Sequence, residues 1–388
     1  RNGNQSIGEF GYTSTIAGNV NYILGMEGLN VIAPGSTPTA YSNPFLRWEE
    51  SEQTNIGFDT YFFNGALSFT FDWFNKRTNG MLMTMALPQY IGNSRPTGNV
   101  GDMQNQGVEL DLKYRFRFDQ FRFNVGGNAS YIKNTLIKLG NETGWANYDT
   151  ALGGVGTFTR AENGQPFPFF YGMQTDGIFQ TEQEVQDYVN KNGELLQPSA
   201  KPGDVRFVDS NKDGVIDEFD RVNIGNGMPS WTLGLNADME WKGFDLSAVF
   251  HVSLGNDVFD VSRRTDLPPV NMPSYMLKRW TGPGSSNRIP RLSNDLSNNN
   301  WRSSDLYVHD GSFLRFRNLQ IGYSIPENLV KKVLLQKVRL YINAENLLTI
   351  TKYHGFDPEI SSGGTSLGVD RGIYPQPRVF SVGANVIL

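Results

Sequence analysis

A run of oxygen-bearing side chains between Asp209 and Asp220 has the spacing of a calcium-binding loop. Aspartate and asparagine supply side-chain oxygens at loop positions 1, 3, 5, 9 and 12, and position 7 offers the backbone carbonyl of Val215. Gly214 at position 6 allows the sharp turn that such loops make. The predicted ligands of Ca²⁺, which would be the cofactor of this site, are Asp209, Asn211, Asp213, Val215, Asp217 and Asp220.

The same residues have a second interpretation that involves no metal. Asp220 stands at position 12, where calcium loops prefer a longer glutamate that chelates through both oxygens. Aspartate and asparagine side chains also accept hydrogen bonds from backbone amides two residues further on, so they can stabilise a turn by themselves. The spacing therefore predicts either a calcium site or a succession of such Asx turns.

Histidines are few in this chain and far apart in sequence. His251 falls in a predicted strand, whereas His309 and His354 fall in predicted loops, and none of them has the HExxH spacing of a zinc protease. We predict structural or solvated roles for all three. The chain has no cysteine, which excludes disulfides, thiol nucleophiles and thiolate metal sites within it. No catalytic arrangement is predicted, and we do not expect an enzyme.

Aromatic residues are frequent in the long predicted loops. Their rings could stack on sugar rings, or they could support the loops themselves. They are Trp145, Tyr148, Phe167, Phe169, Phe170, Tyr171, Trp280 and Trp301. We expect support of the loops to be their main role.

The elements that position these residues are predicted from alternation, which is clearest over residues 108–131. There the apolar side chains alternate with charged or polar ones, and a period of two predicts β-strands with one apolar and one charged face. The alternation stops at Asp119 and Gln120 and then resumes, so we predict a hairpin. A tilted strand needs about 9–11 residues to cross a bilayer, and each arm has that length. The charged face would then point toward an aqueous lumen. The arginines expected in that lumen are Arg115, Arg117, Arg122 and Arg315.

The predicted strands are joined by connections that alternate between tight and long. Tight turns are predicted at Asn64-Gly65, Asp119-Gln120 and Lys242-Gly243, with connections of tens of residues between them. In an antiparallel meander every second connection lies at the same end, so one rim has the turns and the other has the loops. Short periplasmic turns and long extracellular loops are typical of outer-membrane barrels. The predicted fold class is therefore all-β, a transmembrane antiparallel β-barrel.

Three local features are also predicted. The capping box of Thr181 and Glu184 predicts a short helix within residues 181–191. The apolar positions of residues 313–325 change phase near Arg317, which predicts a β-bulge. Residues 30–43 are rich in Pro, Ser, Thr and Asn and are predicted to be a loop, and the hundred or so residues after Tyr131 to be largely irregular.

The composition agrees with a barrel and argues against other classes. The chain has 388 residues, a formal net charge of −5, 13% aromatic residues and a mean hydropathy of −0.40. It has no run of about 20 apolar residues, so no transmembrane helix is predicted; a barrel is not excluded, because only alternate residues of its strands face lipid. Net negative charge without a basic cluster argues against nucleic acid as a partner. The sequence begins at Arg1 without a signal peptide, so we interpret it as processed or as a fragment.

Six stretches of the chain resemble the C-terminal portion of the SusC/RagA-type TonB-dependent transporters of Bacteroidetes-like bacteria. They are NPFLRWEESEQTNIGFD (43–59), NVGDMQNQGVELDL (99–112), PFFYGMQTDGIFQTEQEV (168–185), GDVRFVDSNKDGVIDEFDRVNIGNGMPSWTLGLN (203–236), DGSFLRFRNLQIGYSIP (310–326) and NAENLLTITKYHGFDPE (343–359). They stand in the order that the family has and run almost from end to end.

The resemblance implies one part of a barrel of about 22 strands, located in the outer membrane of a Gram-negative bacterium as a multi-pass protein in contact with lipid. It also implies import of oligosaccharides or peptides with energy from TonB, usually with a SusD-like surface lipoprotein as lid. Residues 3–8 look like an interior segment of such transporters, and Leu388 stands where a terminal Phe is usual. We therefore expect residues 1–388 to be C-terminal strands and loops of one barrel domain, without the N-terminal plug and the segment that contacts TonB.

A hypothesis from a different class remains open at this point. The chain could be a secreted, β-rich, glycan-binding module with a dockerin-like calcium loop. Solubility without detergent separates the two hypotheses, because a barrel wall needs lipid or detergent around its apolar face.

Overall fold

The computed structural model describes residues 12–14, 16–24, 31–38, 43–84, 97–148, 156–262, 271–360 and 362–387. These residues are mainly β-strands, with two short α-helices, α1 (Glu182–Asp187) and α2 (Glu327–Val330). In the part of the chain that is described, no helix is long and apolar enough to cross a membrane. The strands are β1 (Ile16–Leu24), β2 (Val31–Pro38), β3 (Glu50–Phe62), β4 (Leu67–Thr84), β5 (Thr97–Phe118), β6 (Phe121–Leu139), β7 (Trp145–Tyr148), β8 (Thr159–Glu162), β9 (Phe169–Gly172), β10 (Thr175–Ile178), β11 (Val205–Phe207), β12 (Val222–Gly225), β13 (Trp231–Trp241), β14 (Phe244–Leu254), β15 (Asp257–Asp260), β16 (Val308–Asp310), β17 (Phe313–Ser324), β18 (Lys337–Thr351), β19 (Val369–Asp370) and β20 (Val379–Ile387).

Nine of these strands form one large sheet in the order β3-β4-β5-β6-β13-β14-β17-β18-β20. All neighbours are antiparallel, so the sheet is an up-and-down meander whose members follow one another along the chain. At one end lie the connections 63–66, 119–120 and 242–243 and the connector that contains α2. The longer connections, with the remaining short strands after β6, lie at the other end. The predicted alternation of tight and long connections is confirmed.

The first tight turn is longer than predicted. The pair nearest to the turn is Phe62, which ends β3, with Leu67, which begins β4. Four residues lie between them, where two were predicted. Phe63, Asn64 and Gly65 all have positive φ angles of 54°, 55° and 82°. The chain reverses through these left-handed residues, and the amide of Gly65 donates a hydrogen bond to the carbonyl of Phe62 at 3.1 Å.

The register of the large sheet gives it one apolar face. Phe69 of β4 pairs with Leu112 of β5, and Ile321 of β17 pairs with Ile342 of β18. Among the described residues none forms a layer over these side chains: Leu112 is 49% exposed and Ile342 is 55% exposed. A continuous exposed apolar surface of this kind indicates contact with lipid.

The opposite face of the same strands is charged and polar. Arg122 of β6 pairs with Glu240 of β13 at 3.1 Å, and Lys113 pairs with Asp111 at 2.8 Å within β5. Because side chains alternate along a strand, Asp111 and Lys113 lie on the face opposite to that of Leu112. The sheet therefore has the two faces of a barrel wall, one for lipid and one for water.

Two further predictions about the strands are tested by the register. Phe316 pairs with Leu348, whereas Asn318 pairs with Glu345, so the predicted bulge at Arg317 is confirmed. The strands β4, β5 and β6 have 18, 22 and 19 residues, which is far more than the about 9–11 that a tilted strand needs to cross a bilayer. These strands therefore extend beyond the membrane at the end where the long connections lie.

The long connections are folded, contrary to the prediction of irregular structure after Tyr131. They contain the four-stranded sheet β12-β9-β8-β7, the pair β10-β11 and the three-stranded sheet β16-β15-β19. One core joins the connections β6–β13, β14–β17 and β18–β20. Phe158, Phe259 and Val369, one from each connection, pack together with full burial. The rings of Phe158 and Phe259 stack with centroids 4.6 Å apart. The sequence did not reveal these strands, because strands of two to four residues are too short to show an alternation.

Two local predictions near the N-terminal half have different outcomes. The predicted helix is present as α1, where the amide of Glu184 donates to Oγ1 of Thr181 and the amide of Gln180 donates to the Glu184 carboxylate. The predicted loop over residues 30–43 is wrong in part, because β2 lies within it and pairs with β1. That strand contains two prolines, which a strand with one free edge can accommodate.

Candidate functional site

The predicted calcium loop lies between β11 and β12 in the connection that follows β6. Its side chains fold back on its own backbone. Oδ2 of Asp209 accepts a hydrogen bond from the amide of Gly214 at 2.9 Å, and Oδ1 of Asp213 accepts from the amide of Val215 at 2.9 Å. Gly214 has a φ of 93°, so the glycine of the motif stands where the turn requires one. The Asx turns of the second interpretation are therefore present.

Asp220 closes this loop from its buried position. Its Oδ1 accepts hydrogen bonds from the amides of Ser210 and Asn211 at 2.8 and 3.2 Å, and its Oδ2 accepts from the amide of Asp217 at 2.9 Å. Ile216 packs against the small core under β11, which anchors the middle of the loop. The loop is thus held at both its centre and its end.

The fit of this loop to Ca²⁺ depends on which oxygens remain available. Oδ1 of Asp209 is buried and has no hydrogen-bond partner in the described part of the chain, so it could serve as a cation ligand. Both oxygens of Asp220, in contrast, already accept amide hydrogen bonds. Asn211 and Asp213 are exposed, and their side chains already bond to each other and to the backbone amides of Asp213 and Val215. The calcium site stays a prediction, with Asp209 as the ligand that fits best.

A groove of about 630 Å³ opens beside the end of this loop. The rings of Trp145 and Phe219 are exposed at its edge, with 39% and 80% of each residue accessible. The guanidinium of Arg160 lies 4.3 Å from the ring centroids of both Trp145 and Tyr171. The guanidinium of Arg221 covers Tyr171 at 4.4 Å. Exposed ring faces next to fixed cations are suited to bind sugar rings or peptide side chains.

Most of the aromatic residues singled out in the loops support the fold. Phe169 and Phe170 are 2% and 0% exposed, which confirms the predicted role for these two. The indole Nε1 of Trp280 donates to Oε1 of Gln180 at 3.1 Å and so fixes two parts of the loops together. Trp145 differs from them, because it keeps a ring face open to the groove.

A histidine cluster that the sequence did not predict lies in the later long connections, at the same end of the sheet. The rings of His309 and His354 are perpendicular with centroids 4.3 Å apart, and Nε2 of His354 lies 3.5 Å from Oδ2 of Asp260. Burial and the neighbouring His354 lower the pKa of His309 to about 4. Burial alone would raise the pKa of Asp260, but hydrogen bonds from His354 and Ser262 lower it. His309 is therefore neutral and Asp260 is ionised at neutral pH.

The arginine predicted to line a lumen from β17 has a different place. Arg315 is 1% exposed and donates hydrogen bonds to Asp357 and Glu359 at 2.5 and 2.7 Å. The expected acidic neighbours are present, but they belong to the connection between β18 and β20. Arg315 thus fixes that connection to the sheet.

Comparison with known proteins extends this picture. Residues 5–347 match the family described as TonB dependent receptor-like, beta-barrel. TonB-dependent receptor P3 of Formosa agariphila is 31% identical over 366 residues, which cover 91% of this chain and 35% of that protein. TonB-dependent receptor SusC of Bacteroides thetaiotaomicron is 28% identical over 357 residues, which cover 90% of this chain and 33% of that protein.

Solved structures give the same result for the fold. The structure of the RagAB peptide importer in the open-open state matches with a TM-score of 0.75 and 25% identity, over 100% of this chain and 39% of that chain. The chain thus spans about a third of the length of the relatives that it matches. With the family match over most of its length, the chain belongs to the family of TonB-dependent receptor-like β-barrels.

Proposed function

We propose that this chain forms part of the wall and the extracellular loops of a transporter that imports oligosaccharides or peptides across the outer membrane with energy from TonB. The observation that carries this proposal is the family match over residues 5–347 on a sheet with one apolar and one charged face. A barrel wall needs such faces, because one contacts lipid and the other contacts water. The proposal concerns transport and includes no catalytic step.

The open edges of the sheet support a larger barrel. Within the described residues, β3 and β20 each pair on one side only in the nine-stranded sheet. Unpaired backbone groups at the edge of a strand are costly in hydrocarbon, so a membrane sheet must close on itself. Strands from outside residues 1–388 would complete the barrel, and the plug and the TonB-contact segment would also come from there.

The groove beside the calcium loop is the proposed contact surface for the ligand. Trp145 and Phe219 offer ring faces, and the polar side chains of Asn147 and Asn223 line the same groove. Carbohydrates and peptides share this chemistry, so the groove fits both ligand classes. A SusD-like surface lipoprotein is the proposed lid over the loops, in keeping with the resemblance to SusC/RagA-type transporters.

The calcium proposal concerns the same groove. Asp209, Asn211, Asp213 and Asp217, with the carbonyl of Val215, would hold Ca²⁺, and Asp220 would continue to close the loop. Phe219 lies in the short 3₁₀ turn Glu218–Asp220 at the end of this loop. An ion bound in the loop would therefore order the backbone that presents Phe219 to the groove.

The secreted binding module is the weaker alternative. It shares the calcium loop, but it gives no reason for an exposed apolar face that spans nine strands. A soluble sheet of this size would have a second layer over that face.

Uptake by whole cells tests the transport proposal. Cells with and without the full-length protein are given a fluorescent oligosaccharide mixture or a fluorescent peptide mixture. We expect uptake of one mixture only in cells with the protein, and a protonophore should abolish it because TonB needs the proton gradient of the inner membrane. Uptake that is equal without the protein, or that resists the protonophore, would contradict the proposal.

Variants locate the ligand surface in the same assay. Trp145→Ala and Phe219→Ala remove the two exposed rings of the groove, and Tyr374→Ala is the matched control because Tyr374 is 87% exposed and lies outside the groove. We expect the first two variants to lower uptake at limiting ligand and the control to leave it unchanged. Equal uptake by all three would place the ligand elsewhere.

A further inference from the structure

Two imidazoles and one carboxylate converge in the long-loop region, away from the groove. One ligand atom from each of Asp260, His309 and His354 can be chosen so that all three lie within 4.8 Å of one another. We infer that these three side chains bind a divalent first-row transition metal ion, for which Zn²⁺ is the natural probe. Such an ion would join two connections of the barrel at a single point.

The donor set has the chemistry that such ions prefer. Imidazole nitrogen and carboxylate oxygen are both ligands of Zn²⁺, and sites with three protein ligands keep a fourth position for water. Bonds of about 2.0–2.1 Å in a tetrahedral site place the ligand atoms closer together than 4.8 Å. The 3.5 Å between Nε2 of His354 and Oδ2 of Asp260 already suits such a site. Rotation of the His309 side chain toward Oδ2 of Asp260 would bring in the third ligand.

The backbone brings these residues together from separate parts of the chain. Antiparallel pairing of β15 with β16 places Val258 opposite His309, and parallel pairing of β15 with β19 places Asp260 beside Asp370. His354 follows the end of β18, in the connection to β20. Two ligands therefore come from the connection between β14 and β17, and the third comes from the next long connection.

The surroundings of Asp260 orient its carboxylate toward the two rings. Its Oδ1 accepts hydrogen bonds from the amide and the hydroxyl of Ser262 at 2.9 and 2.5 Å. These bonds leave Oδ2 to face His354. Hydrogen bonds to the distal oxygen of a metal-binding carboxylate are the usual way in which a protein fixes such a ligand.

A cavity beside the cluster provides access for an ion and room for water. Its volume is about 510 Å³, and Asp260 and His354 line it together with Tyr275 and Phe356. The ring of Tyr275 contacts that of His354 with centroids 4.5 Å apart. A fourth ligand, a water molecule, would approach from this cavity.

One neighbour opposes the ion and gives the proposal a sharp test. Nη2 of Arg288 lies 3.5 Å from Nδ1 of His309. A guanidinium donates only, so it competes with a cation for the lone pair of the ring, and its charge repels the ion. Arg288 is exposed, so it can turn away when the metal binds. Its replacement should therefore strengthen binding, which a purely structural histidine pair would not do.

Metal binding is measured on the full-length protein in detergent after chelator treatment. Equilibrium dialysis against Zn²⁺ with elemental analysis gives the number of ions per protein. We expect wild type to bind one ion more than the double variant His309→Ala/His354→Ala. The control His251→Ala should bind as wild type does, because His251 lies on β14 outside the cluster. We expect Arg288→Gln to lower the Kd at least threefold. Co²⁺ in place of Zn²⁺ should give the intense visible absorption of tetrahedral coordination, which the double variant should lack.

A conservative variant controls for folding. His354→Gln keeps a hydrogen-bond donor toward Asp260 but removes the imidazole ligand, and heat-modifiable mobility on a gel reports whether each variant is a folded barrel. A folded His354→Gln protein that has lost the ion supports the site. Equal Zn²⁺ content in wild type, His354→Gln and the double variant would overturn it, as would a Kd that Arg288→Gln leaves unchanged.

Discussion

Arg315 and Asp357 form a buried ion pair, with 2.5 Å between Nη2 and Oδ1 and with 2% and 5% of the two side chains exposed. Arg315 lies on β17, whereas Asp357 lies in the connection between β18 and β20. Removal of one member of a buried pair leaves an uncompensated charge and costs about 3–5 kcal/mol. We therefore expect Arg315→Met to lower the free energy of unfolding by about that amount, measured by urea titration of the protein folded into lipid vesicles.

Arg317→Met is the matched control for this prediction. Arg317 also pairs with Glu359, at 2.6 Å, but it is 33% exposed, so water compensates for much of the loss. Its effect should be smaller, about 0–1 kcal/mol. Equal effects of the two variants would show that the buried pair has no special role.

The same aspartate predicts how the loop responds to acid. Burial alone would raise the pKa of Asp357, but hydrogen bonds from the amides of Gln376 and Glu359 and from Arg315 outweigh it and lower that pKa. Because this pKa is lower in the folded state, the ionised carboxylate stabilises the loop at any pH above the pKa that Asp357 has in the unfolded chain, about 3.9. This stability is lost as the pH falls through the folded pKa. Pepsin cleavage of this connection at the exposed Phe356 should accordingly begin at a higher pH in Arg315→Met than in wild type.

The topology predicts which end of the sheet faces the medium. Trp145 belongs to a long connection and Gln120 to a tight turn at the opposite end. This chain has no cysteine, so single cysteines can be introduced without a background from it. We expect a membrane-impermeant maleimide to label Trp145→Cys on whole cells, and to label Gln120→Cys only after the outer membrane is permeabilised. Labelling of position 120 on intact cells would reverse the topology.

The two faces of β5 predict opposite tolerance to charge. Leu112 is on the apolar face, so Leu112→Arg should destabilise the barrel by about 2–4 kcal/mol if this residue lies near the bilayer midplane. Lys113, the next residue, is on the charged face, so Lys113→Leu should cost much less. Unfolding in lipid vesicles measures both, and equal costs would mean that the faces are not those of lipid and lumen.

The predicted calcium loop should bind its ion weakly. Because Asp220 is short and already accepts amide hydrogen bonds, the Kd for Ca²⁺ should be on the order of 10⁻⁴–10⁻³ M. Isothermal titration of the full-length protein should show this binding, and Asp209→Ala should abolish it, whereas Asp295→Ala in another loop should not. A wild-type loop that resists proteolysis equally in Ca²⁺ and in chelator, with no heat of binding, would leave the Asx turns as the complete explanation.

Much of the barrel wall could be predicted from the sequence because its physical requirement repeats along each strand. Lipid on one side and water on the other impose alternation, and the turn predicted at Lys242-Gly243 lies between β13 and β14. The same rule revealed the bulge at Arg317, since a bulge shifts the phase of the alternation. Where that requirement ends, at the loops, prediction from the sequence becomes weaker.

The loop sheets and the histidine cluster could not be predicted for a different reason. Thr159 and Arg160 of β8 are both buried, so this strand has no exposed face that would give it a pattern. His309 and His354 meet only because β15 pairs with β16 and because β18 ends beside them. Such contacts depend on tertiary pairing between connections, and no local sequence pattern indicates this pairing.

The shared core of Phe158, Phe259 and Val369 has a consequence for how such a protein can diversify. Surface loops commonly accept insertions and substitutions without effect on their neighbours. Here three connections depend on one packed interior, so a change of length in any of them disturbs the other two. We therefore expect exposed residues at the rim, such as Trp145 and Phe219, to vary singly, while the buried residues change only together.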